Sequence, residues 1–264
     1  MNLGLENRVA LVTAASKGIG FGTAKILAQE GCKVVICSRN REDIEKAAES
    51  IVTSTNNKDV LPLTADLTSE SEIDNMVREG MKRFGVIDIL AYNTGSPKVS
   101  KFLDLTNEDW DFGVRLLLMS AVWLTKRLVP PMREKTWGRL IYITSLTLKQ
   151  SVKNLVLSNV LRLSIAGLSK DLSEEFGSFG ITSNVIMQGH IYTGRQRAII
   201  EDMAKRTGIS MEQAERIRVK EIPSARFGTV SEIGNAVAFL ASEQAAYING
   251  AGLLVDGGVV RSVL

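Results

Sequence analysis

A single doubly wound parallel sheet, covered by helices on both faces, is the α/β architecture the sequence predicts, and three observations predict it. Short apolar runs rich in β-branched residues recur at 9–12, 33–37, 59–64, 86–91, 139–143, 181–187 and 252–255. Segments with apolar residues at helical spacing lie between them. Hairpin signals are missing, so consecutive strands need helical crossovers and run parallel.

Residues 9–12 form the first strand, and 13–20 a small-residue turn into a helix over 20–30 that carries Phe21, Ala24, Leu27 and Ala28. A strand that passes through a glycine turn into a helix aims bare N–H groups and a helix dipole at an anion, usually a phosphate. The spacing Ala14-x-x-x-Gly18-x-Gly20 also suits an ordinary tight connection. After strand 33–37 come Ser38-Arg39-Asn40-Arg41 and a helix with Ile44, Ala47, Ala48 and Ile51 on one face. Strand 59–64 leads through Asp66-Leu67-Thr68 to a helix that Ser69 caps. Strand 86–91 ends in Tyr92-Asn93-Thr94-Gly95.

Long helices are predicted over 107–133, with Pro130 and Pro131 near the end, and over 154–179. Residues 114–124 and 155–168 are apolar nearly all round, which predicts burial on one face by the sheet and on the other by a second subunit. Residues 195–221 are charged and helical with little core pattern, as in a mobile lid over a substrate. A helix over 230–241 and a strand over 252–255 close the chain. No linker or composition break divides it, so residues 1–264 read as one domain.

Composition narrows the function classes. The 264 residues are 45% hydrophobic and 23% charged, with a net charge of +3 and no long like-charge run, which gives no reason to expect nucleic acid or an anionic membrane as partner. Cys32 and Cys37 lack metal-ligand spacing and suit buried thiols in a reducing compartment. Without an apolar leader or a spanning run, the expected location is cytoplasmic. No metal site is expected.

The segments 13–20, 38–41, 93–95 and 144–145 all fall at the carboxyl edge of the sheet, where ligands of such folds bind. In detail they resemble the short-chain dehydrogenase/reductase family, close to its acyl-carrier-protein ketoreductase branch, and the resemblance covers nearly the whole chain. Thr13-Ala14-Ala15-Ser16-Lys17-Gly18-Ile19-Gly20 resembles the family's glycine turn. Asp66-Leu67 resembles its adenine-contacting pair, and Asn93-x-Gly95 its fourth-strand signature. Gly189-His190-Ile191-Tyr192-Thr193 resembles the loop that holds the nicotinamide amide; Asn249-Gly250 and Val255-Asp256-Gly257-Gly258 resemble the closing motif. The resemblance implies a Rossmann-type fold, a dinucleotide cofactor and a small carbonyl or acyl substrate. Ser38 and Arg39 stand where an acidic residue would repel a 2′-phosphate, and Lys17 adds a second cation, so NADP is expected over NAD.

The family's catalytic positions are altered. Ser145 stands where the resemblance places the carbonyl-polarising serine. Ser158 replaces the tyrosine acid/base, Arg162 the lysine beside the nicotinamide ribose, and Leu117 the asparagine of the proton relay; Gln188 stands where proline is usual. A serine hydroxyl is a far weaker acid than a phenol, and arginine stays protonated. Tyr192 and His190 are weak candidates for the missing donor. Two readings stay open: an NADP-dependent oxidoreductase with non-standard acid/base residues Ser145, Ser158 and Arg162, or a catalytically silent dinucleotide-binding or oligomeric scaffold protein.

Overall fold

The computed structural model describes residues 2–263. Seven parallel strands form one sheet in the order β3-β2-β1-β4-β5-β6-β7: β1 (Val9–Val12), β2 (Lys33–Ser38), β3 (Val60–Thr64), β4 (Ile89–Tyr92), β5 (Gly138–Ile143), β6 (Ile181–Gln188) and β7 (Gly252–Val255). The order reverses between β1 and β4, which opens a crevice at their carboxyl ends.

On one face α1 (Gly18–Gln29), α2 (Arg41–Thr55) and α9 (Val230–Ala241) cover the sheet through Leu27, Ile44, Ile51, Ile233 and Val237. On the other lie α3 (Glu70–Phe84), α4 (Asn107–Val114), α5 (Ser120–Glu134) and α6 (Val156–Phe176), packed through Ile73, Met76, Leu124, Leu161 and Ile165. Alternate strand residues feed opposite cores: Leu11 joins one and Val12 the other, as the pleat requires.

Three expectations need correction. Strand β4 starts at Ile89 rather than residue 86, because Asp88 is engaged elsewhere: its carboxylate accepts from the Val9 N–H at 2.9 Å and from Lys135 at 2.6 Å. The helix predicted over 107–133 is interrupted by a π turn, Arg115–Met119, between α4 and α5. The lid, α7 (Gly194–Thr207) with α8 (Met211–Lys220), has its own small core of Ile200, Ala204, Ala214, Ile222 and Phe227. Within 114–124, Leu116, Leu117, Ala121 and Leu124 are buried inside this chain, while Phe112, Val160 and Leu163 stay exposed. Among the described residues no helix is long and apolar enough to cross a membrane.

Candidate functional site

The glycine turn is built by close approach. A Cβ on Gly20 would lie 2.3 Å from the Ala14 carbonyl oxygen, so only glycine fits, and Gly18 adopts φ +61°. Helix α1 then begins behind Lys17 with no side-chain cap and no acid in its first turn, so its leading N–H groups face the crevice without a protein acceptor on the cap residue. The turn is fixed to both flanking strands. Ala15 N–H donates to the Cys37 carbonyl at 2.9 Å, while the Thr13 hydroxyl donates to the Asn93 carbonyl at 2.7 Å and accepts from the Asn93 N–H at 2.8 Å. Those bonds bring residues 13–20, 38–39 and 93–95 to one edge.

The end of β3 joins them, since Ala65 N–H donates to the Ser38 carbonyl at 3.0 Å and carries Asp66 and the buried Leu67 alongside. Asp66 holds its own turn by accepting from the Thr68 N–H and hydroxyl, both at 2.9 Å. Lys17 and Arg39 are exposed, and among the described residues neither has a carboxylate within ion-pair distance. Cys37 is buried beside the turn, its thiol pushed up to about 12 by desolvation. From the other side comes the loop after β6. Gly189 packs so closely on Asp256 that a Cβ would lie 2.6 Å from its Cα, Ile191 is buried, and Thr193 caps α7 opposite Gly18, where a Cβ on the glycine would lie 3.6 Å from the Thr193 methyl.

A second corner is formed by the end of β5, α6 and the π turn. The Ser145 hydroxyl accepts from the Thr147 N–H at 3.2 Å and opens a short 3-10 turn, Leu146–Leu148, against which α6 packs. Four residues apart on α6, Ser158 and Arg162 share a face, and Arg162 Nε donates to Ser158 Oγ at 3.0 Å. Both are buried, Ser158 at 8% and Arg162 at 7% exposure. Burial lowers the Arg162 pKa, Tyr92 opposes that shift, and Arg195 adds to it.

Leu117 contributes only its carbonyl, which accepts from the Tyr92 hydroxyl at 3.0 Å. That hydroxyl also reaches the Leu116 carbonyl at 3.1 Å and Ser120 Oγ at 2.7 Å, covering acceptors that the π turn frees. Tyr92 was readable from sequence only as a strand-end residue; its role depends on a helix 24 positions away. Burial raises its pKa, so the phenol stays protonated. The two donor candidates both lie on the loop after β6. His190 Nδ1 lies 3.3 Å from Arg218 on α8, and Tyr192 packs its ring on Phe227 at 5.7 Å.

A family model described as enoyl-(acyl carrier protein) reductase matches residues 13–260. The chain is 34% identical to the D-beta-hydroxybutyrate dehydrogenase of Cupriavidus necator, over 97% of this chain and 99% of that one. It is 32% identical to the 3-oxoacyl-[acyl-carrier-protein] reductase FabG of Escherichia coli, over 97% and 99%. The chain belongs to the short-chain dehydrogenase/reductase family. Among solved members, the L-sorbose reductase of Gluconobacter frateurii, complexed with NADPH and L-sorbose, superimposes with a TM-score of 0.95 at 30% identity, covering 100% of both chains. Its relatives being named dehydrogenases and reductases, this family member is an oxidoreductase.

Proposed function

We propose that this short-chain dehydrogenase/reductase uses NADP to interconvert a carbonyl and an alcohol, with Ser145, Ser158 and Arg162 in place of the usual acid/base set. The observation that carries the cofactor choice is the pair Lys17 and Arg39, both exposed and unpaired among the described residues, at a strand end where no carboxylate follows. The glycine turn fits a dinucleotide because its uncapped helix start leaves donors for a pyrophosphate, while Gly20 lets the turn close against the Ala14 carbonyl. Thr13, Ser16, Lys17, Gly18, Ile19 and Gly20 would hold the phosphates. Ser38, Arg39, Asp66 and Leu67 would hold the adenosine half, and Asn93, Gly95, Arg162, Gly189, Ile191 and Thr193 the nicotinamide half. NADPH-bound L-sorbose reductase supports NADP at the level of the fold.

When bound, the cofactor supplies or accepts hydride. The chain's own residues then work on the substrate oxygen. Ser158 Oγ already accepts from Arg162, so its hydroxyl proton is free to donate. Ser145 Oγ likewise uses a lone pair on Thr147 N–H and keeps its proton. Two hydroxyl donors and a desolvated guanidinium stabilise the negative charge that builds on the carbonyl oxygen, and water delivers the proton. Catalysis is then electrostatic and lacks a titrating phenol, so kcat/KM for reduction should stay flat between about pH 6.5 and 9.

Titrating the protein with NADPH and with NADH, following binding heat or nicotinamide fluorescence, tests the cofactor reading. NADPH should bind at least tenfold tighter, and Lys17→Ala or Arg39→Ala should erase most of that preference. Equal affinity would return the choice to NAD. Binding without turnover over a carbonyl panel would favour the catalytically silent alternative. The same reading makes the protein a cytoplasmic homo-oligomer, dimer or tetramer, with Phe112 of α4 and Val160 and Leu163 of α6 as the apolar contact face.

A further inference from the structure

Helices α7 and α8 are fastened to the rest of the chain at few points. Their buried apolar residues, Ile200, Ala204 and Ala214, cluster apart from both main cores, joined by Ile222, Phe227 and, from the C-terminal tail, Val259. With one exception, the side-chain hydrogen bonds and ion pairs of the two helices stay inside 193–221 among the described residues. They comprise Arg197 with Glu201, Arg206 with Asp202, Arg216 with Glu212, and the caps Thr193 and Ser210. The exception is Arg218 on α8, whose Nη2 reaches Nδ1 of His190, on the loop after β6, at 3.3 Å.

Residue 190 is also where the segment leaves the body of the protein. The His190 carbonyl accepts from the Gly228 N–H at 2.9 Å, and the Gly228 carbonyl accepts from the Tyr192 N–H at 2.8 Å. The chain entering α7 and the chain returning after α8 thus form a narrow neck. The return is tied once more, by the Ser224 N–H to the Gly257 carbonyl at 3.1 Å. Two helices with a core of their own above such a neck can move as one body.

The bond across the neck depends on a proton. Arginine offers only donors, so Nδ1 accepts and the ring is the neutral tautomer with its hydrogen on Nε2. Protonation turns Nδ1 into a donor and sets an imidazolium against a guanidinium. The other charged groups around the ring are already engaged. Glu221 accepts from Arg218 at 2.9 Å, and the Asp256 carboxylate accepts from the Gly258 and Val260 N–H groups at 2.9 and 2.8 Å. Glu232, on the Gly228 side of the neck, is held by Arg226 at 2.6 and 2.9 Å. Burial first, and then Arg218, hold the His190 pKa below its usual range, against the pull of Glu221 and Asp256.

We infer that His190 and Arg218 form a proton-sensitive latch: neutral His190 holds α7 and α8 on the loop after β6, and protonated His190 releases them. Arg218 is then a positioning residue that acts on this loop through His190. The inference rests on reading α7 and α8 as a lid over the site. The open lid takes up the proton more readily than the closed one. Closure is therefore complete above about pH 6.5 and is lost as pH falls toward the closed-state value.

Hydrogen–deuterium exchange of the whole protein tests the latch without any ligand, read by mass spectrometry at pH 7.5 and 5.5 and corrected for intrinsic rates. The opening constant of amides 212–220 should rise at least about threefold on acidification, with about tenfold the ceiling for one group of pKa ~6.5. Amides of α9 report global unfolding and supply the baseline. His190→Asn keeps an acceptor that does not titrate and should hold α8 closed at both pH values. Arg218→Met should open α8 at both, and Arg218→Lys should restore the pH dependence. A smaller rise in the wild-type protein, or an equal rise in His190→Asn, would overturn the latch. Exchange of α8 as slow as that of α9 in Arg218→Met would overturn the lid reading beneath it instead, which separates the two failures.

Discussion

Two buried arginines sit at opposite ends of the sheet, and the protein treats them differently. Arg139, 2% exposed at the amino end of β5, is surrounded by partners. Its Nη1 donates to the Gly138 and Gly180 carbonyls at 2.9 and 3.1 Å, Glu243 lies 3.7 Å away, and the guanidinium stacks on Trp137 at 4.3 Å. Arg8 covers the Trp137 ring as well, at 3.7 Å, and shares Glu243 at 3.0 Å. Arg162, buried nearly as deeply, has one serine hydroxyl. Burial lowers both pKa values, but only Arg139 has a carboxylate acting against the shift. The chain itself compensates Arg139, whereas among the described residues Arg162 is left without a counter-charge.

Substitution should separate the pair. The largest effect is expected from Arg139→Met, which removes a donor from the Gly138 and Gly180 carbonyls and a cation from beside Glu243, and should lower unfolding free energy by about 2–3 kcal/mol in denaturant titrations. Equal loss from Arg162→Met would break the comparison; that variant should be neutral or stabilised by up to about 1 kcal/mol, since it removes a desolvated charge. Next comes Tyr92→Phe, which uncovers the Leu117 carbonyl in the Arg162 corner and should cost about 1–2 kcal/mol in the same assay. Glu243→Gln, at the Arg139 end, should cost about 1 kcal/mol because the carboxylate is half exposed and its loss is softened by water.

The smallest effect concerns a third arginine. Burial and then Arg218 hold His190 below its usual range. Unfolded chains take up the proton first as pH falls through about 6.5. The stability that neutral His190 contributes is therefore complete above that pH and is lost as acidification continues toward the folded-state value. Denaturant midpoints at pH 7.5 and 5.5 should show this drift, and His190→Asn should reduce it.

Much of this was legible from the chain itself, for physical reasons that differ by region. Strands β1 and β7 and helix α9 fall at the predicted bounds, because short apolar runs between small residues carry their own boundaries. Residues 13–20, 38–39 and 93–95 meet at one edge because parallel strands align their carboxyl ends. The Ser158–Arg162 pair follows from helical spacing of four. The rest depends on distant partners. Val86 to Asp88 look like strand, but the Asp88 carboxylate is drawn to Val9 and Lys135. Residues 195–221 look coreless because their few buried apolar residues, Ile200, Ala204 and Ala214, pack in a small separate cluster with Ile222 and Phe227 just beyond the segment. Nothing local signals the π turn, and nothing local engages His190 with a helix 28 residues on.

That π turn also makes the long helix keep two counts. A turn closed one residue wider puts everything after it a step out of phase with everything before. The stripe of α4 that carries Phe112 outward and the stripe of α5 that presses Leu124 and Leu128 into the core are thus set independently. Removing a single residue from 115–119 would return the segment to ordinary helical pitch and leave both stripes facing as they do now. Elsewhere in α4 or α5 the same deletion would rotate half the helix out of the core. A change of length is thus expected to be absorbed at one point of this helical run, and Tyr92 marks where.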